Sequence, residues 1–468
     1  MKKHNMFRNS LIAASMLLVP AMSFAQTSSS IYFLEGSSQR YQLNPAFEPE
    51  RSVFIAVPAL SNLNVSGQGS VGLSHFLFDS KSKPGMLTTF MSPDISYNQF
   101  MNALPEAVGV NLGVNMDLLA LGFRGKSGYT SFNMKLRNAD NASIPKELFG
   151  FMKSGLSSGD YMIKNTNINS ITYLEAALTH SHKITDNLSV GASLKFLAGV
   201  EYVDVTINEI DARLSDDSWK VKTNASVITS LPGVSFSYNS EDGTLEGYNE
   251  YNFRIPSSYG FAVDLGASYE FGGLLDGLKV SASLTDLGMV NWSNVVAFGT
   301  DNNEYITFSG FNDYDVTSDD EEVSLLDDLT DDFKEMIKLY QTEDGGKKNV
   351  ALNATMRLGA EYELPFLPML SVGELMTFRT GMWKYMESRT SLSLTPCRWL
   401  ALSGNAGFSS MGSVYGFVAD IHPRTLNFFV AVDNLKARVN PQFIPLDDFG
   451  LNLSVGINLA FGKRRIDE

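Results

Sequence analysis

The sequence predicts an all-β fold, a transmembrane antiparallel β-barrel of about fourteen strands, with twelve to sixteen as the range. Three observations carry that expectation. Runs of about ten residues alternate apolar with polar or glycine positions, the length at which a tilted strand crosses a bilayer. The joints between those runs are alternately short and long. Beyond residue 25, no charge-free apolar stretch reaches the 18 or so residues that a membrane helix needs.

The elements follow in chain order. Lys2, Lys3 and Arg8 precede the mostly apolar stretch Leu11 to Met22, and Ser23-Phe24-Ala25 offers small residues for cleavage. Residues 1–25 therefore read as a secretory signal, with no cysteine at the cut to carry a lipid. Residues 26–60 are too irregular to span a membrane and are expected to form a hatch or plug. Within them, Asn44-Pro45 is a turn pair, because proline holds the preceding residue extended and cannot donate from its nitrogen.

The barrel is expected over 61–462. Its clearest strand alternates Val108, Val110, Leu112, Val114, Met116 and Leu118 with Gly109, Asn111, Gly113, Asn115 and Asp117. The same period recurs at 188–196, after the turn Ile184-Thr185-Asp186-Asn187, and at Leu451 to Phe461. Less regular runs fall near 62–73, 128–137, 170–182, 259–271, 278–290, 350–363, 372–382, 386–395, 399–408, 413–420 and 424–432. Long joints near 74–107, 138–169, 201–258 and 291–349 occupy one parity, so they share one rim, the external one. The short joints share the periplasmic rim. A soluble sandwich or propeller would also alternate, but no propeller repeat is present. Residues 463–468 form a periplasmic tail after the closing aromatic, Phe461.

The 291–349 joint holds the densest charge. Asp313, Asp315, Asp319, Asp320, Glu321 and Glu322 open a run of acids extending to Glu335, against Lys334 alone. A solvated acidic face is the bland expectation, and cation binding between carboxylates is the functional one. Asp313-Tyr314-Asp315 begins like a calcium loop but lacks its later acid and turn glycine. Aromatics near predicted strand ends, Phe123, Tyr129, Tyr202, Tyr269, Phe271, Trp292, Tyr362, Tyr385, Trp399 and Tyr415 among them, suit interfacial girdles.

Composition excludes several classes. The net charge of -15 over 468 residues leaves no basic stripe for phosphates, so no nucleic-acid partner is expected. Cys397, the single cysteine, forms neither an internal disulfide nor a CxxC metal site. Gly67-Gln68-Gly69-Ser70-Val71-Gly72 fits a dinucleotide fingerprint in letters, but in a glycine-rich strand and without a following helix. Ser80 and Lys83 match a penicillin-binding pattern whose partner motifs are missing. His180 and His182 share a face and would need a third ligand to hold a metal. No catalytic residue and no cofactor is expected.

The segment ending Leu43-Asn44-Pro45-Ala46-Phe47, followed by about fourteen strands, resembles the long-chain fatty-acid transporter (FadL-type) barrels, in which an Asn-Pro-Ala hatch plugs the lumen. It is also similar to the PorV and PorP/SprF barrels associated with gliding and type IX secretion. Ser283-Leu284-Thr285-Asp286-Leu287-Gly288, with Trp292 beyond, points to the same superfamily. The whole resembles an uncharacterised Gram-negative outer-membrane family. The resemblance implies a location in the outer membrane among its lipids and lipopolysaccharide, with assembly by the barrel-assembly machinery through the last strand. It further implies passage of a small, hydrophobic molecule past the hatch residues Leu43, Asn44, Pro45, Ala46 and Phe47. The alternative it implies is a non-transporting scaffold docking secretion-machine proteins, and an outer-membrane enzyme comes third.

Overall fold

The computed structural model describes residues 28–154, 159–215, 218–251, 257–301, 305–308, 338–381, 384–410, 412–436 and 446–464. Fourteen antiparallel strands among them close into a barrel. β1 is split into Arg51–Ala56 and Leu63–Gly69, and is followed by β2 (Ala107–Arg124), β3 (Gly128–Pro145), β4 (Gly159–Lys183) and β5 (Leu188–Leu214). β6 is split into Trp219–Ser230 and Ser258–Glu270, β7 is Leu278–Thr300, and β8 is split into Leu339–Ala351 and Thr355–Leu364. β9 (Leu367–Arg379), β10 (Tyr385–Cys397), β11 (Leu400–Ser409), β12 (Gly412–Ile421), β13 (Leu426–Lys436) and β14 (Phe449–Arg464) complete the wall.

Each strand pairs with its chain neighbours, and β1 closes the ring between β14 and β2. Val53 sits opposite Phe461 on one side and Phe123 on the other. Among the described residues every wall strand has a paired neighbour on both sides, the condition for crossing a bilayer with strands. No described helix is long and apolar enough to cross.

The alternation seen in the sequence is an inside–outside alternation. Leu194, Phe261 and Phe408 are 65%, 69% and 75% exposed on the outer face. Their strand neighbours Ser193, Lys195, Ala262 and Gly407 turn inward. Thirty angstroms of bilayer, roughly, is the solvent for such a belt. Phe123, Tyr259, Tyr269, Tyr362, Trp399 and Tyr415 are exposed as girdle residues should be. Tyr129, Tyr202, Trp292 and Tyr385 are not: all four are buried on the luminal side. For Trp292 the reason is local. Asp286 takes a φ of 62°, which slips the strand by one residue, so Gly288, Val290 and Trp292 face inward while Leu287 and Met289 face lipid.

The strands outrun the lengths that periodicity suggests. β3 and β4 remain paired from Gly128↔His182 to Ser143↔Asn167, and β4 and β5 as far as Gly159↔Leu214, through much of 138–169 and 201–214. Past the membrane both faces of a strand are wet, so polar residues such as Asn138, Asp140 and Asn141 carry no two-residue signal. The wall begins earlier too, since Arg51–Ala56 lies within 26–60 yet pairs with β14.

After Ser230 the chain leaves the wall for a hairpin of Val234–Tyr238 and Leu245–Tyr251, and the wall resumes at Ser258. Phe236 packs edge-on against the buried Phe298 of β7 at 5.1 Å. The first long connection carries α1 (Tyr97–Ala103), capped by the Ser96 hydroxyl, which accepts from the Gln99 N–H. It packs with α2 (Lys146–Ser154) around Phe76, Phe90, Phe100 and Phe149.

Candidate functional site

The interior is filled from the N-terminal side. Residues 28–48 cross the lumen as short turns, Ser29–Ile31 and Arg40–Gln42, joined by irregular chain. They form no ladder with the wall. The hatch is held by side chains and by single main-chain groups, so its contacts are individually modest.

The Asn-Pro turn is the best-tied part. The Asn44 side-chain amide donates to the carbonyls of Ala267 on β6 and Ala282 on β7, each at 3.3 Å. Its Oδ1 accepts from the Ala46 N–H at 3.0 Å, an Asx turn that fixes the bend. The Ser283 hydroxyl donates to the Leu43 carbonyl at 2.8 Å, and Ser181 donates to the Ala46 carbonyl at 3.1 Å. Gly191 and Gly266 are what let this turn touch the wall: a methyl group on Gly191 would collide with the Pro45 carbonyl, and one on Gly266 with the Asn44 side chain. Leu43 and Phe47, both buried, share an apolar cluster with Tyr32, Phe33 and Leu34 of the hatch and Leu375, Ala401 and Val418 of the wall.

Other ties run right round the barrel. Gln42 donates to Asp117 of β2 at 3.1 Å, and Gln39 donates to Ser61 at 3.1 Å. Glu35 pairs with Lys279 of β7. Glu48 lies 3.6 Å from Arg124 of β2. The Ser28 and Ser30 hydroxyls donate to Asp433 of β13. That carboxylate also accepts from Arg389 Nη1 at 2.6 Å, and Arg389 is clamped by Glu387 at 2.8 and 2.9 Å and by Asn405 at 2.6 Å.

A second charged cluster lies on the opposite wall. Arg137 of β3 donates to Glu175 of β4 at 2.8 Å and to both oxygens of Asp286 at 2.8 and 3.2 Å. Lys195 of β5 reaches Asp264 at 2.8 Å and Asp286 at 2.7 Å. The Asp286 N–H, freed by the same bulge that turned Trp292 inward, donates to Asp264 at 2.7 Å. Within a membrane such groups turn toward the interior and toward one another.

Beside this cluster the lumen turns apolar. Tyr173, Leu197, Tyr202, Val290, Trp292 and Leu352 form one buried group, with Tyr202 and Trp292 stacked at 5.3 Å. Trp292 Nε1 is buried there without a hydrogen-bond partner. At the short-turn end of the barrel a cavity of about 610 Å³ lies under the hatch, bordered by Glu35, Glu50, Lys279, Glu361 and His422.

The sequence motif Leu43 to Phe47 is therefore brought together inside the lumen. Asp313, Asp315, Asp319, Asp320, Glu321 and Glu322 lie outside the described residues. His180 and His182 stand 5.9 Å apart, ring to ring, and among the described residues no trio of metal-ligating side chains forms. Sequence reasoning missed the Arg137 and Arg389 clusters, whose members come from many strands. Their available signal was charge at inward-parity positions, as at Lys195 between Leu194 and Phe196.

A closed, lipid-belted barrel with an N-terminal segment tied across its lumen is a plugged outer-membrane-type β-barrel. The chain belongs to the family of unknown function DUF5723, whose model matches residues 45–433. No curated protein sequence matches it. Among solved structures it is similar to the P. putida toluene transporter TodX, at TM-score 0.44 and 12% identity over 89% of this chain and 92% of that one. It is similar also to the Ralstonia pickettii toluene transporter TbuX, at 0.45 and 9% over 94% and 99%. A Pseudomonas aeruginosa FadL homologue matches at 0.42 and 10% over 94% and 100%.

Proposed function

We propose that this chain is an outer-membrane passage protein, a gated channel for a small, partly apolar molecule. The observation that carries the reading is the way the hatch is held. Residues 28–48 block the lumen through separate side-chain contacts to β2, β4, β6, β7 and β13, with no shared β-ladder. Each contact joins groups that water can also satisfy, so the segment can leave in steps while the wall stays paired. The luminal patch around Leu197, Val290 and Trp292 supports an apolar cargo, because a lumen passing only ions and water favours polar walls.

Deletion of 28–47 tests this in proteoliposomes containing the purified barrel. Conductance and the entry of a small aromatic solute such as toluene should both rise, while heat-modifiable migration shows that the barrel has folded. Unchanged conductance and entry in a folded barrel would defeat the reading.

A further inference from the structure

The luminal charges divide into two kinds. Arg137, Lys195 and Arg389 each sit against carboxylates within 2.9 Å. Arg357 of β8 and Arg379 of β9 make no ion pair among the described residues. Arg357 is 5% exposed, so its charge lies out of bulk water. Its Nη1 donates to the Thr285 hydroxyl at 3.1 Å, and its Nε is buried with no partner. Arg379 presents its guanidinium to the ring of Tyr385 at 5.4 Å.

Register puts these groups together. Arg357 is opposite Thr377, and Arg379 is opposite Thr355, so the two arginines are diagonal neighbours on one luminal face, about 7–8 Å apart at the backbone. Between them lies Thr377, 1% exposed, whose hydroxyl is also buried without a partner. Two orphaned polar atoms therefore face each other across one strand pair, beside a second guanidinium. Leaving a buried guanidinium without a counter-charge is costly, and its planar fork matches the oxygens of a carboxylate or phosphate. The carboxylates that act on this pair are already engaged: Asp286 of β7 by Arg137 and Lys195, and Glu387 of β10 by Arg389 and Tyr385. Gly359, two residues below Arg357, abuts the hatch ring of Tyr32. The arginine pair thus stands directly over the hatch.

We propose that Arg357, Arg379 and Thr377 form an oxyanion-binding site, which takes the carboxylate or phosphate group of a molecule that has entered the lumen. The inference rests on the passage reading, since it assigns a charge to the cargo. An anion here would complete the hydrogen bonds of Arg357 and Thr377 and offset the two adjacent positive charges. The site would select anionic molecules over neutral ones of the same shape.

Calorimetric titration of the purified full-length protein in detergent, in low-chloride buffer, tests it with benzoate, inorganic phosphate and, as a neutral counterpart, benzyl alcohol. One of the anions should bind. Arg357→Gln and Arg379→Gln should each weaken it roughly tenfold or more, with Arg357→Lys weakening it less and benzyl alcohol unaffected by any of them. Binding of benzoate alone assigns a carboxylate, and binding of phosphate assigns a phosphate group. Absence of binding by both anions, or equal affinity in wild type and the glutamine variants, overturns the site. Should Arg357→Gln fail to give a heat-modifiable barrel, Arg379→Gln and Thr377→Val carry the same comparison. The hatch deletion keeps the two ideas apart. Anion binding lost in the arginine variants with passage unaffected by the deletion would leave the site standing and sink the passage reading. Passage raised by the deletion with arginine-independent binding would do the reverse.

Discussion

At the scale of single residues, the hatch is positioned by what the wall lacks. Gly191 and Gly266 stand where the Asn44-Pro45 turn comes closest to β5 and β6, and neither position has room for a β-carbon. Gly191→Ala should therefore push the turn away while leaving strand pairing intact, at a cost in hatch docking of about 1–3 kcal/mol. The expected result is more frequent open events in planar-bilayer recordings and faster proteolysis within 28–48. Gly404→Ala is the matched control, since its methyl would enter open space on the outer face. Equal open probability in both variants would show that the turn is not seated by the glycine. Asn44 is the complementary case: its amide serves two carbonyls on different strands, so the short side chain links β6, β7 and the hatch together.

At the scale of elements, the least regular part of the wall is the gap in β6. Ser230 ends one half and Ser258 begins the other, and both reach Ser293 of β7. The Ser230 hydroxyl donates to the Ser293 carbonyl at 2.8 Å, and the Ser293 N–H donates to the Ser258 hydroxyl at 3.1 Å. Two side chains thus take up the main-chain groups of Ser293 at the joint between the two halves of β6. Ser230→Ala with Ser258→Ala should orphan both groups, lowering stability by about 1–3 kcal/mol per lost bond. Urea titration of the folded barrel in liposomes reads the change as a lower midpoint, and an unmoved midpoint would mean that water or a neighbour takes over. This element also shows what was legible beforehand. All fourteen strands lie where alternation places a run, because lipid on one face and lumen on the other force the two-residue period. The break in β6 was hidden, as the run at 259–271 looks complete by itself. The inward turn of Trp292 was hidden for a different reason: a one-residue slip at Asp286 inverts every later face, and a left-handed aspartate has no fixed signature. The Asn-Pro turn could be read locally, whereas the Arg137 and Arg357 groups depend on register between strands tens of residues apart.

At the scale of the whole molecule, the order of assembly follows from sequence separation. The barrel closes when β1 meets β14, pairing Val53 with Phe461 across nearly the full chain. The hatch depends on the closed ring still more, because Ser28 and Ser30 bind Asp433, and Asn44 needs β6 and β7 already side by side. Contacts this distant are slow to form, and those requiring several strands at once cannot precede them. Refolding into liposomes should therefore give heat-modifiable barrel first and protease protection of 28–48 afterwards, as two separable phases. Asp433→Asn should slow or weaken the second phase more than the first, although it also removes a carboxylate from Arg389. Ser30→Ala separates the two roles, since it removes a hatch tie and leaves the Arg389 pair in place. Protection of the hatch appearing before heat-modifiable barrel would overturn this order, and would mean that the segment folds as a core around which the wall is built.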